Sequence, residues 1–167
     1  GGTDSGINLR RDIAKASRKD SGRAQRKLTV EDEGEPRFTS RPPLLVPASE
    51  LAGSLGVQDP GTIKEYIAEL LKQYAATLPP DRQHLFGHYR FVDLARKVVG
   101  VGSVGTRAWV LLFLSNRRKD PLVLQVKEAQ QSVLAPYAGA SKFRLQGRRV
   151  VEGQRLTQAA SDQFLGW

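Results

Sequence analysis

Between Tyr89 and Ala129 three strand-length apolar segments follow one another, and neither of the links between them is long enough for a helix. The segments are YRFVDLARKVV, RAWVLLFLS and LVLQVKEA, joined first by GVGSVGT and then by NRRKDP. All three are rich in Val and Leu, with Trp and Phe in the second, the composition that packs best on a pleated surface. Short links permit only antiparallel neighbours, since parallel pairing needs a long crossover. The order strand, Gly-rich loop, strand, turn, strand therefore predicts an antiparallel sheet with strands near 89–99, 106–115 and 121–129.

The rest of the chain supplies elements to pack on that sheet. In DPGTIKEYIAELLKQYAATLPP, Asp59 can cap a helix and Pro60 is tolerated at its first position. Ile63, Tyr66, Ile67, Leu70, Leu71 and Tyr74 form one stripe at helical spacing, expected to be core, over a helix near 60–77. A second stripe of Val150, Gly153, Thr157, Ala160 and Phe164 predicts a helix near 147–164, with another backbone passing close to Gly153. Two β-leaning pieces around an acidic turn centred on Gly34 predict a hairpin near 28–40. Pro42, Pro43 and Pro47 are expected to bar regular structure over 41–58. The expected class is α+β, with 28–167 as a single domain and 1–27 as a basic helix or mobile arm.

At 167 residues and 40% hydrophobic composition the chain can bury one modest core. No apolar run approaches the ~18 residues of a membrane span, so no membrane partner is expected. With Cys absent there is neither a disulfide framework nor a thiolate metal site. His84 and His88 share a helical spacing but lack further ligands, so no metal site is expected there. The opening GGTDSG and the absence of Met are expected of a piece cut from a longer protein. Net charge is +9, unevenly spread: residues 1–27 hold eight Lys/Arg against three Asp, whereas residues 28–58 hold two against five acids. Such a balance suits phosphate-bearing partners, nucleotide or nucleic acid, or simply a basic surface.

Gly100, Gly102 and Gly105 stand in a G-x-G-x-x-G frame, which several folds use to bring backbone N–H groups against phosphates. A dinucleotide-binding loop needs a helix directly after the glycines. The apolar run from Trp109 has neither a polar face nor a cap, which argues against one. A Walker-type loop needs a Gly-Lys-Ser/Thr that is absent. A protein-kinase-like loop joins two antiparallel strands, and the third strand supplies a Lys to the phosphates. Lys127 in LQVKEA takes that place, and Glu152 is the carboxylate available in the following helix. The simpler readings are a solvent-facing Lys127, an ordinary surface pairing of Glu152 with its arginine neighbours, and glycines that serve only a tight hairpin. Two positions depart from the kinase pattern: Arg107 replaces the Val that covers adenine, and Gln125 replaces a small residue.

The segments YRFVDLARKVVGVGSVGTRAWVLLF, DPLVLQVKEAQQSVLAPY and GRRVVEGQRLTQAASDQFLGW closely resemble the bacterial family called domain of unknown function 2252. The basic segment near the N-terminus and RPPLLVP resemble it too, so the likeness spans nearly the whole chain. The resemblance implies a nucleotide-facing lobe similar to that of kinase-like phosphotransferases. Gly100, Gly102, Ser103, Gly105 and Lys127 would be nucleotide-binding, Glu152 would partner the lysine, and the acidic motifs would lie upstream of this segment. ATP with Mg²⁺ would bind in the context of the whole protein, none of it tightly to this chain, and the setting would be cytoplasmic.

The partners so expected are a nucleotide and the remaining catalytic lobe of the same protein. The chain itself should hold no catalytic residue: His88 and Asp93 are misplaced for a catalytic loop, and only Asn8 and Asn116 are available as Asn. The rival expectation is a basic nucleic-acid or protein-interaction module, drawn from SGRAQRK, NRRK and GRR. Against it, Phe91, Trp109 and Phe113 sit in apolar runs rather than displayed for base stacking.

Overall fold

The structure, a computed structural model, describes residues 28–51, 60–98, 105–117 and 120–167, with the backbone alone for 60–64. The segment 1–27 lies outside the described residues. Among the described residues the strands are β1 (Thr29–Asp32), β2 (Glu35–Phe38), β3 (Leu45–Pro47), β4 (Tyr89–Lys97), β5 (Ala108–Ser115) and β6 (Pro121–Lys127). The helices are α1 (Ala48–Leu51), α2 (Pro60–Ala76), α3 (Pro80–Phe86), α4 (Ala135–Ala138) and α5 (Gln146–Thr157). β1 and β2 form a two-stranded antiparallel sheet, and the other four an antiparallel sheet in the order β3-β4-β5-β6. The class is α+β, as the strand-rich segments and helical stripes require.

β5 is central and the most apolar strand, and its residues alternate between two cores. Val110, Leu112 and Leu114 face Phe38, Val92 and Ala95 under the β1–β2 hairpin. Leu111 and Phe113 face Leu78, Phe86 and Phe164, where the end of α2, α3 and the C-terminal segment close the other side. The hairpin turns at Glu33 and Gly34, both with positive φ (49° and 77°), the conformation whose twist suits a two-residue link.

A bulge in β4 fixes the hairpin in place. Phe91 pairs with Phe113 and Asp93 with Leu112, so Val92 is the extra residue. Its carbonyl accepts a 2.6 Å hydrogen bond from Arg37 Nη1, and Asp93 Oδ2 accepts one of 2.7 Å from the Phe38 amide. Arg90 adds an ion pair to Glu35 at 2.6 Å.

Four expectations are corrected. The prolines of 41–58 do not bar regular structure: β3 forms and pairs with β4, because Pro47 ends an edge strand that needs few donors. Among its described side chains, the α2 stripe is core only in its last turns. Leu71, Tyr74 and Ala75 pack on the sheet, whereas Tyr66 and Leu70 are 65% and 44% exposed. The last helix stops at Thr157, with Gln158 extended (φ −98°, ψ 135°), and the chain turns back so that Phe164 reaches the core without being helical. On α5 it is Val151, not Val150, that is buried. Nothing lies within 4 Å of a Cβ at Gly153. The close approach is at Gly166, where a Cβ would stand 2.6 Å from Thr77 Oγ1 and 2.9 Å from the Tyr74 ring.

Candidate functional site

The strand registers determine which candidate residues share a place. β4 and β5 are antiparallel neighbours joined through the Gly-rich segment, and β6 pairs antiparallel with β5 beyond it. The strand at Ala108–Ser115 stands where a dinucleotide-binding loop would need a helix. Gly100, Gly102 and Ser103 lie outside the described residues. Gly105 has φ +87° with nothing within 4 Å of an added Cβ, so its glycine is required by backbone conformation and not by crowding.

Lys127, the last residue of β6, pairs across the ladder with Ala108, three positions after Gly105. It therefore stands at the end of the sheet from which the Gly-rich connection leaves. Its side chain is exposed and takes part in no ion pair among the described residues. By strand alternation it shares a face with Gln125 and Val123, and Val123 packs on the hairpin-side core.

Glu152 is engaged elsewhere. Its Oε1 lies 3.9 Å from Arg148 Nε and 3.7 Å from Arg155 Nη1, both on α5, the helix-neighbour pairing that its sequence context allowed. α5 packs on the C-terminal segment: Gly147 abuts the Trp167 side chain, and Arg155 Nη2 donates to the Leu165 carbonyl at 3.0 Å. That segment lies on the sheet face opposite the one to which alternation assigns Lys127. The structure places Lys127 level with Ala108, just past Gly105, and does not bring Glu152 to Lys127.

A residue not singled out from the sequence ties this end together. Glu128 continues the ladder, its amide donating to the Arg107 carbonyl at 3.0 Å, and its Oε2 accepts from the Arg107 amide at 3.3 Å. The exit of the Gly-rich connection is thus fastened to the end of β6. The acidic residue directly after Lys127 was the available signal, readable only once the register was known. Elsewhere, His84 and His88 meet edge to face with ring centroids 5.0 Å apart. No group of three His, Cys, Asp or Glu able to hold a metal occurs among the described residues. No helix among them is long and apolar enough to cross a membrane.

The sequence resemblance is confirmed by comparison. The chain belongs to the family described as an uncharacterized protein conserved in bacteria (DUF2252), whose model matches residues 3–167. No curated protein and no solved structure matches the chain.

Proposed function

We propose that this chain is the nucleotide-facing lobe of a kinase-like bacterial protein, working in the cytoplasm where ATP is available. In this reading the backbone amides of Gly100, Gly102, Ser103 and Gly105 cradle the phosphates, and the Lys127 ammonium meets them from β6. The observation that carries the reading is the position of Lys127: exposed, without a carboxylate partner, at the sheet end where the Gly-rich connection joins two antiparallel strands. A phosphate is the counter-charge such an ammonium lacks. The reading leaves Glu152 with Arg148 and Arg155 and assigns it no part in holding the lysine.

The chain's own part is binding and orientation. The described residues do not fit Mg²⁺, since no group of three His, Cys, Asp or Glu among them is placed to hold a metal. The metal-binding acids and the catalytic base belong, in this reading, to the remaining lobe. The test is a titration of the full-length protein with a fluorescent ATP analogue, beside its Lys127→Ala variant. Loss of one charge-assisted phosphate contact, worth about 1.5–3 kcal/mol, weakens binding roughly tenfold or more while the thermal midpoint stays put. Equal affinity in the two proteins would reduce Lys127 to a surface lysine and sink the reading. No steady ATP turnover is expected from the chain alone.

A further inference from the structure

The nucleotide reading makes no use of the most basic stretch among the described residues. Between Lys142 and Arg155 five cations (Lys142, Arg144, Arg148, Arg149 and Arg155) stand against the single acid Glu152. Arg148 and Arg155 are two helical turns apart on α5 and share that one carboxylate at 3.9 and 3.7 Å. Two aromatic rings lie among them. The Arg148 guanidinium is 5.4 Å from the Phe143 ring centroid and 5.4 Å from that of Trp167. Arg155 stands 5.8 Å over Trp167, and Lys142 Nζ 5.1 Å over Phe143. Both rings are half-buried, and Lys142 and Arg144 are exposed.

We infer that this face binds single-stranded nucleic acid. The charge surplus attracts a polyanion. Arg149 and Arg155 are already engaged with Gln146, Gln130, Glu152 and the Leu165 carbonyl. The cations open to phosphate oxygens are therefore the exposed Lys142 and Arg144, with Arg148 beside them held against its rings. Alternation of cations with planar groups is the arrangement that follows an unpaired strand, in which phosphates meet charge and bases meet π faces. These aromatics differ from Phe91, Trp109 and Phe113, which pack in the helix-side core. Phe143 and Trp167 escape notice in the sequence because they stand far apart along it, and only the return of the C-terminal segment brings both to Arg148.

The test uses the full chain and a labelled oligouridylate of ~16 nucleotides, followed by fluorescence anisotropy across a salt series. Binding should weaken steeply with salt, with a slope of about −0.7 for each phosphate contact. Lys142→Glu combined with Arg144→Glu touches no core residue; it should weaken binding at least tenfold at low salt and flatten the slope. The chain has two tryptophans, so Trp109→Phe leaves Trp167 as the only reporter, and its emission should be quenched on binding. Absence of binding, or affinity unchanged by the double substitution and governed instead by Arg10 and Arg11, overturns the inference. So does equal affinity for polyglutamate or for phosphatidylglycerol vesicles, or binding that leaves Trp167 unquenched. None of these outcomes depends on Lys127, so the nucleotide reading stands or falls separately.

Discussion

The two faces of the four-stranded sheet are closed in different ways. The hairpin face is covered by a contiguous piece, residues 28–38, held on β4 through Arg37, Asp93 and Arg90. The helix face is closed from two places far apart in sequence, the end of α2 with Phe86 of α3 shortly after it, and Phe164 of the C-terminal segment. Its contacts are largely aromatic: Phe86 meets Tyr74, Phe113 and Phe164 with centroids 5.4, 5.2 and 5.8 Å apart. A local lid can be held by a few directional polar bonds because its chain entropy is already small. A lid assembled from distant segments needs a large apolar area to offset the ordering of each. The hairpin face should thus be sensitive to single hydrogen bonds, and the helix face to lost volume.

The largest effect follows from volume. Phe113 is 1% exposed and packs against Phe86 and Phe91. Phe113→Ala leaves a cavity that three separate segments cannot jointly fill, and should cost about 3–5 kcal/mol in urea unfolding. A cost near 1 kcal/mol would mean that these segments adapt freely, and the contrast between the faces would fail.

Local closure was legible in the sequence and distant closure was not. The hairpin could be read from its acidic turn at Gly34, and the three long strands from composition alone. The prolines hid β3, since whether an edge strand tolerates them depends on a partner, β4, that lies some fifty residues on. The C-terminal stripe read as one helix because Ala159 and Ala160 favour helix as well as any residue. Packing of Phe164 against Phe86 and Tyr89 outweighs that preference. Tyr66 and Leu70 repeat the lesson: periodicity marks an apolar face without saying what covers it. At the candidate site the glycine frame was visible, but the place of Lys127 depends on the register with Ala108. Glu152 is the carboxylate that elimination within a helix leaves, and the pairing with its arginine neighbours, open in the sequence as the simpler reading, is the one that forms.

An intermediate effect tests the hairpin side. Asp93→Ala removes the acceptor of the buried Phe38 amide and should cost about 1–3 kcal/mol. The signature is spatial. Amide exchange should quicken at Val30 and Arg37 on the hairpin while β5 amides keep their protection relative to the lowered global stability. Asp93→Asn, which retains a carbonyl acceptor, should recover most of the loss. Loosening of the α2 end to the same degree as the hairpin would show that the two faces are not independent.

The smallest effect belongs to a single directional bond on the helix face. Tyr74 Oη donates to the Phe164 carbonyl at 2.5 Å, and burial, then the nearby charge of Asp162, raises the phenol pKa above its ordinary value. In the unfolded chain the phenol loses its proton near pH ~10, whereas in the fold it holds it to higher pH. Between those points the unfolded state binds fewer protons than the folded one, so stability must fall as pH rises. Below pH ~10 the contribution is intact. Tyr74→Phe should therefore cost about 1 kcal/mol at neutral pH and should lose stability less steeply than the parent above pH ~10. Urea midpoints measured across that range decide it. Lysine deprotonation affects both proteins alike and cancels in the difference. Parallel curves would mean that the phenol titrates freely in the fold, and that the C-terminal segment is held without the Tyr74 bond.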